Sequence, residues 1–148
     1  MEQTDDFEYV GFWPRLVAAI IDTILIWIIA WPILWYIYGP SFWSFDVPVI
    51  VGPADFFLTW VFPAVATVLF WVYRQATPGK MAISARIVDA ATGKNPSVAQ
   101  CVGRYVGYFF AVIPVGIGIV WIGFDRRKQG WHDKWARTLV VRSKSSGR

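Results

Sequence analysis

The stretch that decides the fold is residues 11–38, GFWPRLVAAIIDTILIWIIAWPILWYIY, whose only charged residue after Arg15 is Asp22. At 1.5 Å of rise per residue, a helix over residues 16–38 extends roughly 34 Å, which is enough to cross a hydrocarbon core of about 30 Å. A carboxylate inside such a helix is costly and normally faces a bundle interior or water. We therefore predict a transmembrane helix in which Asp22 points away from lipid.

Two further apolar runs follow, at residues 56–73 and 105–124. The chain of 148 residues is 56% hydrophobic and 18% aromatic, with a mean hydropathy of +0.45, values that are high for a soluble domain. We predict an all-α membrane protein with one domain over residues 1–142 and a disordered tail at 143–148. The N-terminus is acidic and no small-residue cleavage site follows the first run, so we expect that run to remain as an anchor.

Lysine and arginine are distributed unevenly along the chain. The loop at residues 39–55 has neither, whereas residues 74–104 and 126–148 are rich in both. The positive-inside rule places the 39–55 loop outside and the basic segments, with the N-terminus, in the cytoplasm. This bias and attraction to anionic lipid headgroups explain the net charge of +4 without a nucleic-acid partner.

The third apolar run then presents a conflict, because one crossing would carry the basic C-terminal tail outside. Pro114, Gly116 and Gly118 lie at its centre, and these residue types bend or break helices. A re-entrant segment or short helical hairpin would keep both basic flanks inside, provided that it packs on the other spans. A single kinked span is the alternative, and we favour the hairpin.

Two short segments have the composition of β-strands. Residues 83–89 (ISARIVD) are followed by a turn-rich segment in which Ser97 is a candidate N-cap, and residues 138–142 read TLVVR. Isolated strands are unstable, so we predict that these two pair with each other at the cytoplasmic surface.

The first span has two unlike faces. At 100° per residue, Arg15 lies about 20° from Asp22 around the helix axis. Two alanines flank this charged face, and three indoles form a column on the opposite side: Ala18 and Ala19, then Trp27, Trp31 and Trp35. Three interpretations of Asp22 stay open: a fixed ion-pair or hydrogen-bond partner, with Arg15 as a candidate; a protonatable or cation-binding group; and a lipid-headgroup site shared with Arg15.

These segments together resemble the RDD family of bacterial membrane proteins, which is named for one arginine and two aspartates. The similar stretches are RLVAAIID, TPGK, ARIVDAATGKNPS and RRKQGWHDKWARTLVV. The resemblance assigns the motif to Arg15, Asp22 and Asp133, and Arg137 departs from the small residue common at its position. It implies a membrane protein, and sodium–proton antiport has been proposed for some members. We further hypothesise that Arg15 pairs with Asp133 or is shared with Asp22.

Other candidate residues point to no enzyme chemistry. TPGK lacks the spacing of a phosphate-binding loop, and His132 has no second histidine or neighbouring cysteine to complete a metal site. We predict no catalytic residues, no metal and no cofactor. We expect contacts with lipid phosphates from three basic residues: Lys80, Arg126 and Arg127.

Two functions remain open for this protein, which we place in the bacterial inner membrane. One is cation transport or cation–proton antiport through Asp22, which requires a homo-oligomer because two or three spans cannot enclose a path. The other is a non-catalytic accessory, scaffold or assembly subunit of a larger membrane complex, docked through its aromatic surfaces.

Overall fold

Two long apolar helices dominate the computed structural model, which describes residues 6–44, 46 and 48–144. Helix α1 comprises Phe12–Tyr38, and the second helix, Pro53–Arg74, is built from α2 (Pro53–Phe56), a π-helical turn (Phe57–Val61) and α3 (Phe62–Arg74). Both are long and apolar enough to cross a membrane, as predicted for residues 16–38 and 56–73. Helix α1 begins four residues before the predicted span and ends with it at Tyr38, whereas the second helix begins three residues earlier and ends one residue later than predicted.

The remaining elements are short. They are β1 (Phe7–Tyr9), α4 (Pro78–Ala82), β2 (Ala85–Asp89), α5 (Val98–Val112), α6 (Ile117–Val120), α7 (Trp131–Ala136) and β3 (Thr138–Ser143). Two 3-10 turns, Pro40–Trp43 and Trp121–Gly123, follow α1 and α6. Ser97 caps α5 as predicted: its hydroxyl accepts the amide of Gln100, whose side chain accepts the amide of Ser97 in return.

The third apolar run is broken at the predicted place. Helix α5 meets the segment Ile117–Gly123 at an angle of 114°. Val115 and Gly116 both have positive φ angles at the bend, 56° and 76°, which glycine adopts readily and valine does not. Gly118 lets the returning arm pack on α5, since a Cβ there would lie 2.7 Å from the Cα of Ala111. The run is therefore a tight bend packed on its own first arm.

A three-stranded antiparallel sheet joins distant parts of the chain in the order β1–β3–β2. Asp89 pairs with Thr138 at one end of β2, and Phe7 pairs with Ser143 at one end of β1. The fold is mostly helical and the predicted pairing of two strands is confirmed, but the sheet has a third strand, β1, that was not predicted. Strand β2 begins two residues later than predicted because Ser84 takes a left-handed turn, with φ of 57°.

The sheet also constrains the topology. Strand β1 precedes the first long helix, β2 follows the second and β3 follows the bent segment. Because paired strands lie on one side of a membrane, crossings by both long helices would leave no net crossing for the bent segment. Of the predicted tail at 143–148, Ser143 belongs to β3, whereas 145–148 lie outside the described residues.

The main apolar core lies where one sheet face meets α3 and α5. Its centre is Trp71, packed with Val10, Ile87, Cys101 and Val140. The indole is stacked on Tyr108, with ring centroids 6.0 Å apart. This core anchors the sheet to the base of the helices and surrounds the charged side chains described below.

We predict that the loops carrying β2 and β3 are accessible from one side of the membrane and the 39–55 loop from the other. Single cysteines at Thr92, Ser143 and Val49, in a Cys101→Ala background, test this with an impermeant thiol reagent on spheroplasts and inverted vesicles. Cysteines at Ser143 and Thr92 should be labelled in the same preparation, and the cysteine at Val49 in the other. Labelling of Ser143 together with Val49 would contradict the sheet-based topology.

Candidate functional site

Asp133 is the centre of a buried cluster of charged side chains. It lies in α7 with 0% of its surface exposed. One carboxylate oxygen accepts Arg15 Nη1 at 2.5 Å and the backbone amide of Gly130 at 2.8 Å, while the other contacts Arg104 Nη1. Two guanidinium groups from different elements thus compensate one buried carboxylate. The hypothesised Arg15–Asp133 pair is present.

Arg15 is held at the junction between β1 and α1. Its Nε donates to the carbonyl of Val10 at 3.0 Å, and its Nη2 donates to the carbonyl of Lys128 at 2.5 Å. Each of these bonds uses a different guanidinium nitrogen from the one that contacts Asp133. Arg15 therefore joins the start of the first long helix to the segment that precedes α7.

Arg104 is the second cation on Asp133, and it comes from α5. Its Nη1 also donates to the hydroxyl of Thr138 at 2.7 Å, at the start of β3. The buried residues of α5 recur every three or four positions, which defines the packed face of this helix: Cys101, Arg104, Gly107 and Ala111. A Cβ at Gly107 would lie 3.0 Å from the Cα of His132, so α5 and α7 approach closely there.

The charges set the protonation states in α7. Burial raises the pKa of Asp133, but Arg104 and Arg15 outweigh burial and hold that pKa well below its usual range. Burial lowers the pKa of His132 to about 3, so its imidazole is neutral at pH 7. That ring stacks on Tyr108 with centroids 4.0 Å apart. His132 thus acts as a neutral packing surface beside an ionised Asp133.

Asp22 makes contacts of a different kind. Its oxygens accept the hydroxyl of Thr77 at 2.5 Å and the backbone amide of Gly79 at 2.7 Å. Among the described residues Asp22 forms no salt bridge, with Arg15 or any other cation. The family-motif aspartates therefore occupy separate places: Asp133 pairs with Arg15, and Asp22 binds the TPGK turn.

The close approach of α4 to α1 depends on two small residues. A Cβ at Gly79 would lie 2.0 Å from the carbonyl oxygen of Ala18 and 2.9 Å from Cγ of Asp22. Ala18 is buried, as the small-residue face predicts, whereas Ala19 on the same predicted face is exposed. The inward face of α1 thus follows Arg15, Ala18 and Asp22.

Lys80 does not fit the predicted contact with lipid phosphates. Its side chain is only 8% exposed, and its ammonium lies 5.8 Å from the centroid of the Trp71 ring. Burial lowers the pKa of Lys80, as does the proximity of Arg104 and Arg15. The turn through Pro78 and Gly79 directs the lysine into the protein.

Arg126 and Arg127 remain candidates for lipid contact, since both side chains are exposed. The side chain of Arg127 donates a hydrogen bond from Nη2 to the carbonyl of Ala90 at 3.3 Å. No group of three potential metal ligands occurs within residues 6–44, 46 and 48–144. Among the described residues, the contacts of Asp133 and Asp22 are ion pairs and hydrogen bonds.

Comparison with known proteins identifies the family to which these charged residues belong. The model of the RDD family matches residues 9–137, which include Arg15, Asp22 and Asp133. The chain belongs to the RDD family. No solved structure matches it significantly.

Several relatives of this RDD protein carry no assigned activity in their names. The uncharacterized membrane protein YteJ of Bacillus subtilis (strain 168) is 27% identical over 92% of this chain and 82% of its own length. The uncharacterized protein YxaI of the same strain is 30% identical over 88% of this chain and 95% of its own length. The uncharacterized protein RP437 of Rickettsia prowazekii (strain Madrid E) is 38% identical over 51% of this chain and 42% of its own length.

Sequence reasoning missed three parts of this site in the RDD protein. Arg104 was counted only as a basic flank, although its spacing of three from Cys101 and Gly107 marks a packed face. Thr77 and Gly79 were noted only as part of the TPGK stretch, without their bonds to Asp22. Burial of the lysine that follows them carried no sequence signal, because turn lysines are normally exposed.

We predict that Asp133→Asn lowers the unfolding free energy in lipid by about 3–5 kcal/mol, because it leaves Arg15 and Arg104 uncompensated in the interior. Asp125→Asn is the matched control: Asp125 pairs with half-exposed Lys134 and its loss should cost about 1 kcal/mol or less. Equal losses in the two variants would contradict this account.

The buried Asp133 carboxylate should also make the stability of the folded protein depend on pH. Because the folded-state pKa of Asp133 is lowered, its contribution is complete above the unfolded pKa of about 4 and is lost as pH falls towards the folded value. Thermal unfolding between pH 6 and pH 3 should therefore show a smaller decline in Asp133→Asn than in the wild type.

We predict that Gly79→Ala destabilises the protein because its Cβ would collide with the Ala18 carbonyl, separating Asp22 from the TPGK turn. Gly103→Ala, also within a helix but with 4.0 Å of clearance from Trp135, serves as the control. Only Gly79→Ala should lower the thermal midpoint. A thermal midpoint unchanged in both variants would show that the close approach of α4 to α1 does not contribute to stability.

Proposed function

We propose that this RDD protein is a non-enzymatic accessory or assembly subunit of a larger complex in the bacterial inner membrane. The observation that carries the proposal is the hydrogen bonding of Asp22, whose oxygens face the Thr77 hydroxyl and the Gly79 amide. The intramembrane carboxylate is thereby engaged in holding α4 against α1. This is the fixed hydrogen-bond role that the sequence left open.

The surroundings of Asp22 disfavour the cation-transport hypothesis. Hard cations such as Ca²⁺ take six to eight oxygen ligands, and Mg²⁺ takes about six. The groups that meet Asp22 are instead an amide and a hydroxyl acting as donors, with the Lys80 ammonium in electrostatic range. Hydrogen-bond donors and a neighbouring ammonium repel a transported cation, so Asp22 is poorly suited to bind one.

Asp133 is equally unsuited to exchanging protons near neutral pH. Arg104 and Arg15 hold its pKa well below the usual range, so the carboxylate stays ionised throughout the physiological range. A proton carrier works best when its pKa lies near the operating pH. The RDD motif charges therefore support a structural role for all three residues.

The aromatic surface of α1 supports a docking role. Trp27, Trp31 and Trp35 are all exposed, as the two-faced helix predicts. Trp31 stacks on Trp43 of the following loop, with ring centroids 4.3 Å apart, so this loop continues the surface. We assign this surface to a second copy of the chain or another membrane subunit, because large rigid aromatic residues dominate protein interfaces.

The proposed orientation follows from charge. The sheet gathers the N-terminal, central and C-terminal segments, and no lysine or arginine occurs between residues 15 and 74. The positive-inside rule then puts the sheet and the N-terminus in the cytoplasm. The Trp43 loop lies on the other side.

Flux measurements on proteoliposomes test the proposal. We expect no cation-dependent proton flux from wild type or from Asp22→Asn, with a known antiporter as the positive control of the assay. Flux in the wild type that disappears in Asp22→Asn would favour transport and overturn the accessory role.

Assembly is tested separately by the size of the complex in mild-detergent extracts. Trp31→Ala and Trp43→Ala should reduce it, because they remove the stacked pair, whereas Trp13→Ala at the other end of α1 should not. A wild-type monomer, or a complex insensitive to both loop-side variants, would argue against docking through this surface.

A further inference from the structure

The buried cluster contains more positive than negative charge. Arg15, Arg104 and Lys80 supply three cations, against two carboxylates, from half-buried Asp22 and buried Asp133. The Tyr108 side chain also lies in this cluster and forms a hydrogen bond with Arg104. His132 adds none, because burial keeps it neutral. Charge buried in a protein interior without compensation is strongly unfavourable. One further negative charge would balance the cluster.

Several donors in this cluster also lack acceptors among the described residues. Arg104 is 1% exposed, and its Nε and Nη2 make no hydrogen bond. The indole Nε1 of Trp71, also 1% exposed, is likewise unpaired. Lys80 has no hydrogen bond within the described part of the chain, and its only ring contact is with the same indole. Buried donors of this kind are rare in native proteins.

The unpaired donors gather around one ring. Arg104 Cζ lies 5.3 Å and Lys80 Nζ lies 5.8 Å from the centroid of Trp71. Tyr108 closes the group, with its ring centroid 5.9 Å from Arg104 Cζ and 6.0 Å from the Trp71 ring. Two cations and an indole N–H are the groups with which proteins bind an anion.

We propose that Lys80, Arg104 and Trp71 form a binding site for one small anion, either chloride or a single phosphate group. The cavities between the long helices, on α1 and on the sheet are lined by other residues, so the proposal is confined to a single small ion. Free ions and anionic lipid headgroups are both sources of this chemistry.

The site gives Asp22 a positioning role. By accepting bonds from Thr77 and Gly79, Asp22 fixes the turn whose next residue is Lys80. The first long helix thereby determines where the Lys80 ammonium lies relative to Trp71. The inference goes beyond the accessory role and does not depend on it.

The test uses the full chain in chloride-free nanodiscs of phosphatidylcholine, titrated with chloride or inorganic phosphate, and in nanodiscs containing phosphatidylglycerol. Calorimetry and the thermal midpoint are the readouts. We expect one anion per chain. Binding in phosphatidylcholine identifies a free ion, and stabilisation only by phosphatidylglycerol identifies a headgroup; both support the site.

Lys80→Met should lower the affinity by about tenfold or more, the loss expected for a charge-assisted hydrogen bond. Without anion this variant should be at least as stable as the wild type, because it removes an uncompensated buried cation, so loss of binding would not reflect misfolding. Trp71→Phe should weaken binding while keeping the ring, and exposed Lys94→Met should have no effect. Absence of anion-dependent stabilisation in the wild type, or equal binding by Lys80→Met, would overturn the proposal.

Discussion

The burial of Asp133 is the constraint on which the rest of the structure depends. A carboxylate with no exposed surface is stable only if opposite charges and hydrogen bonds replace water. Arg15 reaches it from the start of α1, and Arg104 reaches it from α5. Three segments far apart in sequence must therefore meet at one point. Strand β3 begins beside Asp133, because the hydroxyl of its first residue, Thr138, accepts a hydrogen bond from the same Arg104 guanidinium.

A second connection, between Asp22 and the TPGK turn, completes the arrangement. It joins the first long helix to the segment that follows the second, while the sheet joins all three cytoplasmic-side segments proposed above. The two aspartates of the RDD motif thus stabilise different contacts of α1. Because both carboxylates are occupied by donors from the chain itself, their presence in an apolar protein is explained without a transported ion.

The sequence predicted those features that depend on local patterns. The break near Gly116 and the Ser97 cap follow from residue types at short spacing. The pairing of β2 with β3 follows from two segments of strand composition, because an isolated strand is unstable. The Arg15–Asp133 pair was a hypothesis from family resemblance, and the structure contains it. The role of Arg104, strand β1 and the burial of Lys80 depend on how distant segments pack, which charge and hydropathy along the chain do not encode.

A double-mutant cycle between Arg15→Met and Asp133→Asn measures how much the ion pair between these two buried side chains stabilises the fold. Unfolding free energies of the wild type, both single variants and the double variant would be measured in one lipid composition. We expect a coupling free energy of about 1–3 kcal/mol, because each buried charge is compensated by the other. Additive losses, with coupling near zero, would contradict the claim that this ion pair holds the fold together.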